Sequence, residues 1–136
     1  MTILLIENHE DSVTYLKRFL KQLGYEVVVA ADATSAANAV NAHRFDVILS
    51  DIRLPDGDGW TLMEQIRGKT RAYAIAMSGL GSADDIARSH SVGYQDHLIK
   101  PFTPEKLQEM LKKAELIGTR GVRRRFQSRP GTSDII

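Results

Sequence analysis

Four short stretches carry side chains able to do chemistry, each at the end of an apolar run. They are Glu7 and Asn8 after residues 3–6, Asp51 after 45–49, Ser78 after 73–77, and Lys100 after Leu98 and Ile99. Oxygen donors beside a carboxylate suit a hard ion such as Mg2+, which keeps several waters and takes one or two protein carboxylates plus phosphate oxygens. The hydroxyl of Ser78 and the ammonium of Lys100 add donors of the kind a phosphoryl group needs. Asp51 is the candidate nucleophile, because a carboxylate accepts phosphoryl as an acyl phosphate once the charge on the transferring group is neutralised. Singly, each residue has an ordinary use: Asp51 in a turn, Glu7 and Asn8 as caps of a following helix, Lys100 as a solvated turn lysine. Their joint placement argues for chemistry.

The elements that must position them alternate in type. Residues 3–6 read as a strand, and 10–23 as a helix with Val13, Leu16, Phe19, Leu20 and Leu23 at helical spacing, closed by Gly24. A strand at 25–30 precedes an alanine-rich helix at 34–42. The run 45–49 leads into Asp51, and Pro55, Gly57 and Gly59 make a turn before a helix carrying Trp60, Leu62, Met63 and Ile66. Then follow a strand at 73–77, a weaker helix at 82–92, a short strand at Leu98 and Ile99, and an amphipathic helix at 104–117. This succession is (βα)5. Apolar strands without alternation belong to a parallel sheet covered on both faces. Five units are too few to close a barrel, so the expected fold is an open, doubly wound α/β sheet that binds ligands outside the carboxyl ends of its strands. The four chemical stretches fall at those ends.

The chain has 136 residues, 43% hydrophobic and 26% charged, which fits one globular domain with a single core. Its apolar runs fall far short of the roughly 20 residues of a membrane span, and no basic segment precedes the first run, so a cytoplasmic protein is expected. Without cysteine, any metal must sit on oxygen or histidine. Residues 1–117 hold 13 basic and 16 acidic side chains, whereas 118–136 hold five arginines and one aspartate. Gly118 reads as a helix stop, giving a domain at 1–117 and a basic, flexible tail at 118–136. Arg123, Arg124 and Arg125 beside Phe126 suggest at most weak, salt-dependent contact with polyanions. No specific nucleic-acid or membrane partner is expected.

Other chemistries meet specific obstacles. A dinucleotide site needs a glycine-rich turn after the first strand, where this chain has Glu7-Asn8-His9-Glu10-Asp11. A phosphohydrolase resembling the haloacid dehalogenases needs a second aspartate two residues after the nucleophile, and Arg53 stands there. A calcium loop centred on Gly59 would put Leu54 and Gln65 at its obligatory acidic ends.

The runs Ile3-Leu4-Leu5-Ile6-Glu7-Asn8, Leu49-Ser50-Asp51-Ile52-Arg53-Leu54-Pro55-Asp56-Gly57-Asp58-Gly59, Met77-Ser78-Gly79 and Leu98-Ile99-Lys100-Pro101-Phe102 together resemble the receiver domain of two-component response regulators. The stretch Gly93-Tyr94-Gln95-Asp96-His97-Leu98 looks most like receivers of hybrid histidine kinases. The resemblance implies a flavodoxin-like strand order 2-1-3-4-5 and a cis peptide before Pro101. It implies that Asp51 takes phosphoryl from a histidine kinase or histidine phosphotransfer domain, and that Glu7, Asn8, Asp51 and the Arg53 carbonyl hold Mg2+. It also implies that Ser78 and Lys100 engage the phosphoryl group, with a downstream protein partner on the 82–117 face. The chain would then assist only its own phosphorylation rather than act as an enzyme on other substrates. Asn8 departs from the family's aspartate, so Mg2+ should be weakly held. The alternative is a degenerate receiver, an interaction module independent of phosphorylation. His97 stands where the family has a switching tyrosine or phenylalanine, and its smaller ring is expected to favour the inward position less.

Overall fold

The structure is a computed structural model that describes residues 1–127, with side chains to Ile117. Residues Met1–Phe102 make one compact unit, and the described residues from Thr103 onward belong to a second. The first contains β1 (Thr2–Ile6), α1 (Glu10–Gln22), β2 (Glu26–Ala30), α2 (Ala33–Ala42), β3 (Val47–Asp51), β4 (Arg53–Leu54), β5 (Gly57–Asp58), α3 (Gly59–Ile66), β6 (Tyr73–Ser78), α4 (Ala83–Val92) and β7 (Asp96–Ile99). Five of these strands form a parallel sheet in the order β2-β1-β3-β6-β7, which is 2-1-3-4-5 when only sheet strands are counted. The expected flavodoxin-like architecture is therefore present.

The apolar runs become central strands because both of their faces are covered. Every residue of β3 and β6 is buried. Leu4, Ile6, Ile48, Ala74 and Ala76 on one face pack in a single cluster with Ala36 and Val40 of α2, Leu62 and Ile66 of α3, and Val92 of α4. The strand β2 corrects the expectation of full burial: Glu26 and Val28 are exposed, because an edge strand has a neighbour on one side only.

The turn after β3 holds more structure than its prolines and glycines suggest. Arg53 and Leu54 pair antiparallel with Asp58 and Gly57 in a two-residue ladder. The aspartates of this hairpin serve two helix N-termini, where backbone N–H groups lack intrahelical partners. Asp58 accepts from Thr61 N at 2.7 Å and caps α3. Asp56 accepts from Ala33 N at 2.7 Å and Thr34 N at 3.0 Å, and from the Thr34 hydroxyl at 2.7 Å, so it holds the start of α2 beside the true cap, Asp32. The acidic pair that hinted at calcium is thus occupied by backbone amides.

In the second unit, α5 (Pro104–Gln127) starts with Pro104 in its first turn and Thr103 Oγ1 accepting from Lys106 N at 3.2 Å. It does not stop at Gly118. One glycine costs a helix interior only about 1 kcal/mol relative to alanine, which makes it a weak stop signal. Residues 128–136 of the expected tail lie outside the described residues, as do the side chains from 118 onward. Among the described residues, no helix is long and apolar enough to cross a membrane.

The hydrogen bonds from α2 hold the Asp56 carboxyl below its ordinary value. A group depressed in the folded state stabilises above its unfolded pKa and loses that contribution as pH falls through the folded value. Asp56→Ala should therefore lower Tm at neutral pH, and the gap to the parent should narrow at an acidic pH below the ordinary 3.8. Thermal unfolding at both pH values measures this, and a gap unchanged in acid would assign the effect to something other than the carboxylate.

Candidate functional site

Sheet register gathers the candidate residues. Ile6 pairs with Ser50, so Glu7 and Asp51 leave neighbouring strands at the same level. Asp51 pairs with Met77 and Ser78 with Ile99, which brings Ser78 and Lys100 to the next two strand ends. Lys100 N donates to the Ser78 carbonyl at 2.8 Å. The Lys100–Pro101 peptide is cis, as the resemblance implied.

Two carboxylates meet here out of water, Glu7 being 0% and Asp51 5% exposed. Lys100 lies between them, its Nζ 3.0 Å from Glu7 Oε1 and 3.3 Å from Asp51 Oδ2. Burial pushes the Glu7 carboxyl up, but the Lys100 ammonium and the His9 backbone N–H outweigh it, so the group lies below its ordinary value. Burial pushes Asp51 up, and the Glu7 charge adds to that against the opposing pull of Lys100, so Asp51 lies above its ordinary value. Glu7 is thus the settled anion, and Asp51 is the carboxylate with most to gain from another cation.

The second oxygen of Glu7, Oε2, accepts from Asn8 N at 2.9 Å and His9 N at 3.2 Å, and lies 3.3 Å from His9 Nδ1. Ligand atoms of Glu7, His9 and Asp51 all lie within 4.8 Å of one another. Two buried carboxylates and an imbalance of negative charge fit a divalent cation such as Mg2+. His9 was missed from the sequence. A histidine beside a Glu-Asn pair is a common surface residue, and only the fold shows that its ring reaches Glu7. Asn8 and Arg53 are exposed.

Ser78 is buried, and its Oγ accepts from Leu80 N at 2.9 Å, a bond that leaves the hydroxyl proton available. Leu80 is held at its other end too. His97 Nε2 lies 2.8 Å from the Leu80 carbonyl, and His97 Nδ1 lies 2.8 Å from Ser89 Oγ. Trp60 Nε1 donates to the same Ser89 oxygen at 2.9 Å. A carbonyl can only accept, so Nε2 carries the ring proton, Nδ1 accepts from Ser89, and Ser89 accepts from Trp60. The chain of bonds runs from the loop after β6 through β7 and α4 to α3. Arg88 stacks over the Trp60 ring at 4.1 Å from its centroid. Both ring nitrogens of His97 thus find partners, which a phenol with one oxygen would not supply.

Gly59 was read as a turn residue, yet its constraint is contact. A Cβ there would lie 2.8 Å from the Asp51 carbonyl oxygen, 2.9 Å from the Tyr94 hydroxyl and 3.1 Å from Ile52 Cα. Gly59 N donates to Ile52 O at 2.7 Å, and the Tyr94 hydroxyl donates to Gly59 O at 2.8 Å. The start of α3 is pressed against the backbone that carries Asp51.

A model of the response regulator receiver domain matches residues 3–112 of the chain. The probable transcriptional regulator ycf27 of Guillardia theta is 28% identical over 134 residues, covering 98% of this chain and 52% of that protein. A two-component response regulator from Clostridium difficile superposes with a TM-score of 0.81 at 32% identity, covering 84% of this chain and 94% of that one. The receiver domain of the sensor histidine kinase PA1611 from Pseudomonas aeruginosa PAO1, crystallised with a magnesium ion coordinated in its active-site cleft, superposes with a TM-score of 0.76 at 33% identity. That comparison covers 82% of this chain and 94% of that one. The chain spans about half, or less, of the length of the curated relatives it matches.

Two substitutions test the packing that supports the site. Gly59→Ala should lose about 1–3 kcal/mol, since two of its three close neighbours are backbone and must shift. Ser89→Ala should lose a similar amount, about 1–3 kcal/mol, by leaving the Trp60 N–H and His97 Nδ1 without their shared partner. Urea unfolding measures both, and a midpoint unchanged from the parent would contradict the respective contact.

Proposed function

The chain belongs to the response regulator receiver domain family, and from that premise we propose that Asp51 accepts a phosphoryl group from a phosphohistidine of a histidine kinase or histidine phosphotransfer domain. The observation that carries this reading is the meeting of Glu7, Asp51 and Lys100 within one ion-paired cluster, with Ser78 at the adjoining strand end. An Asp51 oxygen attacks phosphorus in line with the departing imidazole nitrogen. The P–N bond breaks as the P–O bond forms, and the histidine ring regains its proton from solvent. A divalent ion held by Glu7 and Asp51, with the Asn8 amide and the Arg53 carbonyl as further oxygen donors, would neutralise charge on the transferring group.

The remaining work falls to the chain's own side chains. Lys100 turns its ammonium from the Asp51 carboxylate, which becomes an ester-like oxygen without charge, to the new phosphoryl oxygens. Ser78 has a hydroxyl proton to donate to the same group. Its movement would draw on Leu80, and through His97 and Ser89 on α4, so α4 and β7 are joined to the chemistry by hydrogen bonds. Family membership makes this a receiver rather than an enzyme acting on external substrates.

Incubation with a small phosphodonor and Mg2+, read by intact mass, tests the proposal. One phosphoryl group should be added to the parent and none to Asp51→Asn. If the protein stays unmodified with small donors and with a phosphorylated histidine domain alike, the phosphoacceptor reading fails and the phosphorylation-independent interaction module takes its place.

A further inference from the structure

We propose that His9 is a protein ligand of the divalent-ion site, and that it makes the site discriminate in favour of Mn2+ over Mg2+; the proposal deepens the receiver reading and rests on it only for the presence of an ion. Three observations carry it. The ligand atoms of Glu7, His9 and Asp51 lie within 4.8 Å of one another. His9 occupies the N-cap of α1, a position that favours a side-chain oxygen able to bond the first turn, yet its side chain makes no capping bond. The ring is instead turned to Glu7, at 3.3 Å from Oε2, while remaining 73% exposed and so able to reorient. Next to it, Asn8 supplies an amide and no charge.

These features act in the same direction on ion choice. With Glu7 and Asp51 negative and Lys100 positive beside them, the buried cluster carries one net negative charge. Mg2+ dehydrates reluctantly and depends on anionic oxygen for its affinity, so an amide at position 8 costs it most. Imidazole nitrogen is a borderline donor that adds little for Mg2+ and more for first-row transition ions. Mn2+ keeps the octahedral, oxygen-tolerant coordination that a phosphoryl ligand needs and accepts one nitrogen as well. The lost charge and the gained nitrogen together replace a hard site by a mixed one.

Calorimetric titration of the full chain with MgCl2 and with MnCl2, at one pH and ionic strength, measures the discrimination. In His9→Ala, Mn2+ affinity should fall about tenfold or more, within the range seen when a metal site loses a supporting histidine, while Mg2+ affinity changes by less than about threefold. The exposed ring and missing cap bond mean that this variant should fold as the parent does. Asn8→Asp should act oppositely, raising Mg2+ affinity more than Mn2+ affinity. Pulsed electron paramagnetic resonance of bound Mn2+ should show coupling to a histidine nitrogen in the parent and none in His9→Ala. Equal weakening of both ions, or nitrogen coupling retained in His9→Ala, would overturn the proposal. Phosphodonor labelling with each ion separates it from the receiver reading. Nitrogen-coupled Mn2+ without labelling of Asp51 would uphold the ion site and sink phosphotransfer, whereas labelling in both ions without nitrogen coupling would uphold phosphotransfer and sink the role of His9.

Discussion

Two carboxylates buried side by side against one ammonium set the terms for everything around them. At about 4 Å and an effective dielectric near 20, each unit pair is worth roughly 4 kcal/mol, attractive to Lys100 and repulsive between Glu7 and Asp51. Desolvation costs several kcal/mol per ion, so the cluster is tolerable only with every lone pair in use. Glu7 meets that condition through Lys100 on one oxygen and the Asn8 and His9 amides on the other. Asp51 does not meet it to the same degree, and its raised pKa expresses the shortfall. A site built this way attracts cations and tolerates neutralisation of Asp51, which are the two conditions for phosphoryl transfer to a carboxylate.

Such a cluster works only if its members cannot drift, and the surrounding sequence is arranged to that end. The parallel register fixes Glu7, Asp51, Ser78 and Lys100 at strand ends, where no side-chain interaction is needed to place their backbones. The loop after β3 is the weak point, since it leaves the sheet immediately beyond Asp51. Three residues stiffen it. Asp58 caps α3, Asp56 ties the hairpin to α2, and Gly59 allows α3 to begin in contact with the Asp51 carbonyl. The motif Asp56-Gly57-Asp58-Gly59 is a local clamp on the backbone that carries Asp51.

Much of this was legible in the sequence. Period and punctuation located the sheet strands and helices, and the chemistry of strand-end residues located Glu7, Asp51, Ser78 and Lys100, because each signal is local or follows from the generic property of parallel sheets. What escaped depended on partners far along the chain. The Trp60–Ser89–His97–Leu80 chain joins four elements, and Ser89 alone gives no hint that it accepts from an indole 29 residues away. Gly59 has a turn-like signature, yet its conformation is ordinary and its need for hydrogen in place of Cβ arises from Asp51 and Tyr94. The end of α5 departs from its sequence signal for the opposite reason. Gly118 is a local stop signal of only about 1 kcal/mol, and α5 continues past it to Gln127.

The hydrogen-bonded chain at His97 also bears on how a change at Asp51 would travel. Leu80 is gripped at both ends of its own peptide framework, its N–H by Ser78 and its carbonyl by His97. On the proposed reading, a phosphoryl group that draws in the Ser78 hydroxyl alters the first grip, and the second transmits the strain to a ring whose other nitrogen is bonded to α4. Outward movement of a histidine held by two bonds would leave the buried Ser89 hydroxyl proton without its acceptor, which costs about 1–3 kcal/mol, while the Trp60 N–H keeps its bond to Ser89. On that reading, a change at the Ser78 loop would reach α4 through Leu80, His97 and Ser89, where Ser89 and Arg88 both meet Trp60.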